Sequence, residues 1–190
     1  MRSSAIIIIV HQMIFQGMFF VKNITLRRRL GMPIRGRNPE AIASILFFAM
    51  FIIISIVFGL AEVPVGTISL LPKTSAMTIA LMLLVANLIV GIASLIGLKD
   101  SWRVGVMEDQ QTNLIESGIY RFSRNPYFLS YLIMFAAYTL LLQNTILLVL
   151  SIIGFVLVHL MVLKEEKHLA ISHGEKYQHY RKRVPRYLII

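Results

Sequence analysis

The sequence predicts an all-α polytopic membrane protein with about five transmembrane helices. The last two close as a tight hairpin, and a cytoplasmic helical tail follows them. Three observations predict it: the composition, a set of long uncharged runs, and a one-sided placement of lysine and arginine. Of the 190 residues, 57% are hydrophobic and 15% charged, and the mean hydropathy is +0.74. A soluble domain is about 45–50% apolar and about 25% charged. There is no cysteine, which excludes disulfides, thiolate metal sites and cysteine nucleophiles.

The first run, 3–21, carries His11, Gln12 and Gln16. Arg2 precedes it, no small-residue cleavage site closes it, and "LRRR" follows, so it reads as a retained helix rather than a signal peptide. The second and third runs, 41–61 and 74–98, hold no titratable residue. The fourth, 125–163, contains only His159 and is twice as long as the roughly 20 residues one crossing needs. The polar pair Gln143-Asn144 near its middle offers a turn, which gives helices over 126–142 and 145–163. The stretch "RRRLGMPIRGRNPE" reads as a solvated loop.

Charge placement tests the count. The net charge is +10, and 17 of the 19 basic residues fall in three segments, 22–40, 99–124 and 164–190. Five crossings with the N-terminus outside put all three segments on one side, whereas four crossings split them. Lysine and arginine favour the cytoplasmic side, so the basic surplus marks topology and the lipid surface rather than nucleic acid. The expected partner is the bilayer, and the protein is expected to be a multi-pass integral membrane protein with a cytoplasmic C-terminus.

Polar residues concentrate after residue 100. Residues 1–100 therefore read as scaffold, and 101–190 as the catalytic region with a loop, the hairpin (126–163) and the tail. In "RFSRNPYF", Pro126 suits the first position of a helix and Asn125 its N-cap. Arg121 and Arg124 stand beside that N-terminus and make an anion site; snorkelling to lipid headgroups is the bland alternative. Glu165 and Glu166 emerge where the helix dipole disfavours acids. They either pair with Lys164, Lys167, Arg121 or Arg124, or receive a cationic ligand. Arginines beside carboxylates at the two ends of a hairpin suit a zwitterion. Tyr177 and Tyr180 read as an interfacial belt. His168, His173 and His179 lack metal-pair spacing, so no metal site is expected. His159, inside an apolar helix, is a candidate by position, or a hydrogen-bond partner of Gln12 or Gln16.

"LIESGIYRFSRNPYF", an apolar hairpin, then "KEEKHLAISHGEKYQHYRKRVPR" resembles the isoprenylcysteine carboxyl methyltransferase and phospholipid methyltransferase superfamily of integral membrane enzymes. The family pattern is L-V-x-x-G-x-Y-x-x-x-R-H-P-x-Y, then E-E-x-x-L and G-x-x-Y-x-x-Y, and the likeness runs from about Ser101 to Arg186. The resemblance implies S-adenosyl-L-methionine as cofactor and a lipophilic or lipidated methyl acceptor, either a prenylcysteine-like carboxylate or a lipid amine. It places cofactor contacts on Asn113, Leu114, Ile115, Tyr120, Asn125, Pro126, Tyr127, Phe128 and Glu165, and the charge reading adds Arg124. Asn125 stands where the family has histidine, Phe128 where it has tyrosine, and Met161 where prenylcysteine enzymes carry an arginine. The sequence assigns no catalytic base; His159 and Glu166 are the candidates. An NADPH-dependent sterol-type membrane reductase and a non-enzymatic membrane scaffold are the alternative readings.

Overall fold

The computed structural model describes residues 2–31, 39–61, 65–102 and 113–188. Five helices carry the chain: α1 (Arg2–Leu30), α2 (Pro39–Leu60), α3 (Lys73–Leu98), α4 (Pro126–Leu142) and α5 (Thr145–Arg183). Short 3-10 turns cover Lys99–Ser101 and Gly118–Arg121. Four helices are long and apolar enough to cross a membrane, and α4 is a shorter apolar one. At 1.5 Å per residue α4 spans ~26 Å, close to the roughly 30 Å hydrocarbon core. The protein is an all-α polytopic membrane protein.

α4 is the central helix. Most of it is buried, including Phe128, Tyr131, Met134, Phe135 and Tyr138, because α3 lies along one side, α5 folds back on another, and α1 and α2 close the rest. Aromatic rings fill the joints. Tyr131 meets Phe15 of α1 at 5.3 Å and Phe48 of α2 at 4.7 Å between centroids. Phe135 meets Phe51 at 4.8 Å. The outer helices keep apolar side chains exposed, such as Met13, Leu46, Ile53, Met82, Ile89 and Leu160. In water such a surface would be costly; in a bilayer it faces acyl chains.

The hairpin turn forms where the polar pair predicts it, and the pair does more than turn. Gln143 adopts the left-handed conformation that ends α4. The Asn144 side chain caps α5 by accepting from the Ile146 and Leu147 N–H groups at 2.8 and 3.3 Å. Its amide also donates to Val65 O at 2.9 Å, and Gln143 Oε1 accepts from the Leu70 and Leu71 N–H groups. Both residues thus pin the α2–α3 connection against the turn.

Two helices exceed their predicted ends. α1 continues to Leu30 rather than stopping at 21, so "LRRR" is helical and not loop. The segment contains good helix formers, and Arg27, Arg28 and Arg29 complement the negative end of the helix dipole. Gly31, at φ +64°, closes the helix with its N–H on Arg27 O at 3.1 Å. The rest of that predicted loop, 32–38, lies outside the described residues. α5 runs on past 163 to Arg183, broken only at Gly174 (φ 52°, ψ −128°). An Arg29–Asp100 ion pair at 3.0 Å ties the ends of α1 and α3. The basic ends of α1 and α5 therefore gather, with the end of α3, at one end of the bundle beside the start of α4.

Inside the bundle, a proton-ordered chain of hydrogen bonds joins three helices. Asn87 Nδ2 donates to Ser130 O at 2.6 Å, which points its Oδ1 at His11 Nε2, 2.9 Å away. Since Oδ1 can only accept, Nε2 carries the proton and Nδ1 accepts from the Tyr138 hydroxyl at 2.8 Å. Gln12 Nε2 completes the chain by donating to the Tyr138 hydroxyl at 2.7 Å. The sequence pairs Gln12 or Gln16 with His159. Instead Gln16 binds Gln12 and His159 lies elsewhere. α3, read as featureless, contributes the buried Asn87. Tyr138→Phe strands the Gln12 donor and the His11 acceptor, and it is expected to cost about 2–3 kcal/mol, read as a lowered thermal midpoint in detergent.

Candidate active site

At the basic end of the bundle the N-terminus of α4, the distal half of α5 and residues 184–188 converge. Pro126 occupies the first turn of α4 as predicted, but the Asn125 side chain makes no cap bond. Its amide donates instead to Glu166 Oε1 at 2.9 Å and to Arg186 O at 3.2 Å. A buried carboxylate outcompetes a helix end for this donor because bonds to a charged acceptor are about twice as strong.

The expected anion site does not form as a unit. Arg121 is exposed, whereas the Arg124 side chain is only 7% exposed and meets Glu166 Oε1 at 3.0 Å. Arg124 Nη1 donates to Val184 O at 2.7 Å and to Arg181 O at 2.9 Å. Arg186 Nη2 reaches Glu166 Oε2 at 3.0 Å. The anion that Arg124 takes is therefore a carboxylate of its own chain. Hydrogen bonds to Glu166 raise the pKa of the Arg186 guanidinium above its ordinary value. Glu166 pairs with these arginines rather than with the adjacent Lys164 or Lys167.

Glu165 behaves differently. No hydrogen bond or ion pair engages it among the described residues, and burial, with the adjacent Glu166 charge, pushes its carboxyl up to about 7. It lies within electrostatic reach of Tyr120 and Tyr127. Burial first, and then the Glu165 charge, push the Tyr120 hydroxyl well above its ordinary range, so Tyr120 stays a neutral phenol. Tyr127 stacks edge-on against Trp102 at 4.7 Å, and Trp102 is fixed by a 2.7 Å bond from Nε1 to Asn23 Oδ1.

Tyr177 and Tyr180 are not an interfacial belt. Both are buried, with Val184, Leu114, Leu169 and Ala170 packed around them. Tyr180 donates to Tyr120 O at 2.7 Å. The Tyr177 hydroxyl is buried beside Arg124, with no well-formed hydrogen bond among the described residues. Glu116 binds Arg183 at 2.7 Å, holding 113–117 to the end of α5. The structure thus brings Glu165, Tyr120, Tyr127 and, through Tyr177 and Tyr180, Leu114 to one region. Asn113 is exposed and Ile115 half-buried on the adjoining extended segment, and Pro126 and Phe128 are buried at the start of α4. His159 is apart, with Nδ1 3.3 Å from the Tyr187 hydroxyl. Sequence reasoning missed the strap at 184–186. Pro185 O accepts from Arg124 N–H at 2.9 Å and Arg186 O from the Ser123 hydroxyl at 3.1 Å. Only "VPR" directly after the helix hinted at it.

A helical membrane bundle, with the Glu165 carboxylate unpaired among the described residues beside the Arg124–Glu166–Arg186 cluster, agrees with the resemblance. Residues 75–176 match the model of the phospholipid methyltransferase family. The match covers more than half of the chain, and the chain belongs to that family. It is an integral membrane methyltransferase, set in a lipid environment. The match starts within α3, earlier than the sequence likeness, consistent with the long packing of α3 along α4. No curated protein matches the chain.

Proposed function

We propose that the protein transfers the methyl group of S-adenosyl-L-methionine to a lipophilic acceptor at the membrane–cytoplasm interface, with the catalytic region in 101–190 and residues 1–100 as scaffold. The observation that carries this reading is the pair of adjacent acids: Glu166 is paired with two arginines, and Glu165 has no ion pair among the described residues. The cofactor is a zwitterion with an added sulfonium cation and a flat base. The residues present fit it: an unpaired carboxylate, a buried hydroxyl on Tyr177 with no well-formed hydrogen bond, and the rings of Tyr120 and Tyr127.

Glu165 would hold the cofactor's ammonium group. Tyr120, Tyr127, Leu114 and the neighbouring Asn113 and Ile115 would line the remainder, with Pro126 and Phe128 fixing the start of α4. Arg124, Asn125 and Glu166 act one step back, holding α4, α5 and the strap in register. When bound, the cofactor supplies an activated methyl on sulfur. The chain's contribution is then to orient the acceptor and exclude water. A carboxylate acceptor needs no base, while an amine or hydroxyl must lose a proton. We assign that role to neither candidate: Glu166 is held by Arg124, Asn125 and Arg186, and His159 is bonded to Tyr187. The gathered basic ends argue for a cytoplasmic face, since lysine and arginine favour that side, with the N-terminus of α1 outside.

The test is incubation of purified full-length protein in nanodiscs with methyl-labelled cofactor and fractionated lipid extract. The expected result is protein-dependent label in one lipid class, which identifies the acceptor. Binding of NADPH without cofactor binding or label would instead establish the reductase alternative.

A further inference from the structure

A second site lies on the far side of the Arg124–Glu166–Arg186 cluster. Between α5 and residues 184–187 runs an open cleft of about 450 Å³, lined among others by Phe155, His159, Arg181, Lys182, Arg186 and Tyr187. Pockets that hold small molecules are about 300–1,000 Å³. Each residue of an α-helix turns ~100° about the axis, so Phe155, His159 and Glu166 fall on one stripe of α5 while Glu165 is rotated away. The cleft and the Glu165 region therefore share a wall but not an opening.

Its chemistry is graded along the helix. At the rim, Arg124 and Arg186 share the single carboxylate of Glu166. Arg181 and Lys182 are exposed and have no ion-pair partner among the described residues, which leaves the rim strongly cationic. Burial pushes the Tyr187 hydroxyl up to about 12, against the lowering effect of Arg186, so it remains a donor. At the floor, Phe155 is 46% exposed and continues into Val156 and Leu160, the apolar face of α5 that meets acyl chains. Phe155 lies ~12 Å below residue 163 along the helix. A cationic rim above an apolar floor fits an amphiphile, whereas a free inorganic anion would use the rim alone.

We propose that this cleft binds the phosphate of an anionic membrane lipid, with an acyl chain laid along Phe155. The inference concerns binding only and does not depend on which group is methylated, so the Glu165 assignment and this one can fail separately.

The test uses the full chain in detergent micelles, titrated with dihexanoyl phosphatidylglycerol and followed by native mass spectrometry. One lipid is expected to be retained, and the zwitterionic analogue dihexanoyl phosphatidylcholine, whose ammonium cancels the charge of the same phosphate, should bind at least about tenfold more weakly. The double variant Arg181→Gln/Lys182→Gln should lower phosphatidylglycerol affinity roughly thirtyfold, since each basic residue near an anionic lipid contributes about a factor of five. Phe155→Leu, which keeps an apolar side chain at a half-exposed position stacked on His159, should leave lipid affinity within about threefold, whereas Phe155→Ser should weaken the lipid. Arg27→Gln/Arg28→Gln, equally basic but at the end of α1, should leave affinity unchanged. Two results would overturn the proposal. Equal weakening by the α1 pair would mean diffuse attraction, and displacement by inorganic phosphate at concentrations matching the lipid would mean a free-anion site.

Discussion

Glu165→Gln weakens S-adenosyl-L-methionine binding roughly 10- to 100-fold, because a hydrogen bond to a charged group contributes about 1.5–3 kcal/mol. The substitution keeps the side chain's shape and removes only its charge. Burial and the adjacent Glu166 charge disfavour the Glu165 carboxylate and it has no ion pair to lose among the described residues, so the thermal midpoint should hold or rise. Isothermal titration of the detergent-solubilised protein, with a melting curve on the same sample, reads both quantities. A variant that binds cofactor like the parent would end the assignment of Glu165. So would a loss of binding matched by an equal loss of stability, since that would make the residue structural.

The neighbouring acid should respond in the opposite sense. Glu166→Ala leaves the Arg124 guanidinium, 7% exposed, without its counter-ion and strips Asn125 and Arg186 of their acceptor. Breaking a buried pair by removing one partner costs about 3–5 kcal/mol. For a chain of this size that is a fall of roughly 6–20 °C in the thermal midpoint. Adding Arg124→Met should recover part of the loss, because replacing both charges by apolar groups is often neutral. The measurement is thermal unfolding of the single and double variants. A Glu166→Ala protein within about 1 kcal/mol of the parent would show that the cluster does not hold the site together. The two acids are adjacent in sequence, and the contrast between them separates ligand recognition from architecture.

Much of the fold is legible because the bilayer imposes it. Uncharged runs give α2, α3 and α4 to within two residues, and Gln143-Asn144 gives the turn. The ends of α1 and α5 are not legible from hydropathy, since both helices continue after the sequence turns polar. Gly31 and Gly174 are the local marks that a helix criterion would have used. The site is legible only in part. The motif points to the right end of the bundle and to the pair of acids. Which acid is paired depends on Arg124, Asn125 and Arg186, whose side chains arrive from 42, 41 and 20 residues away. No local period encodes such partners. Asn125 reads as a helix cap because that is its commonest local use, and the long-range carboxylate overrides it. The same holds for Tyr177 and Tyr180, whose spacing suits a membrane interface equally well until Leu114 and Tyr120 cover them.

The strap at 184–186 has a consequence for how the protein is made. Its backbone carbonyls receive donors from Ser123, Arg124 and Asn125, residues synthesised some sixty positions earlier. All five helices have been synthesised before these acceptors exist. Helices α1 to α4 can therefore enter the bilayer before the polar cluster is complete. A polypeptide released after Arg183 would own every membrane-spanning element and still lack the latch that sets Arg124 against Glu166.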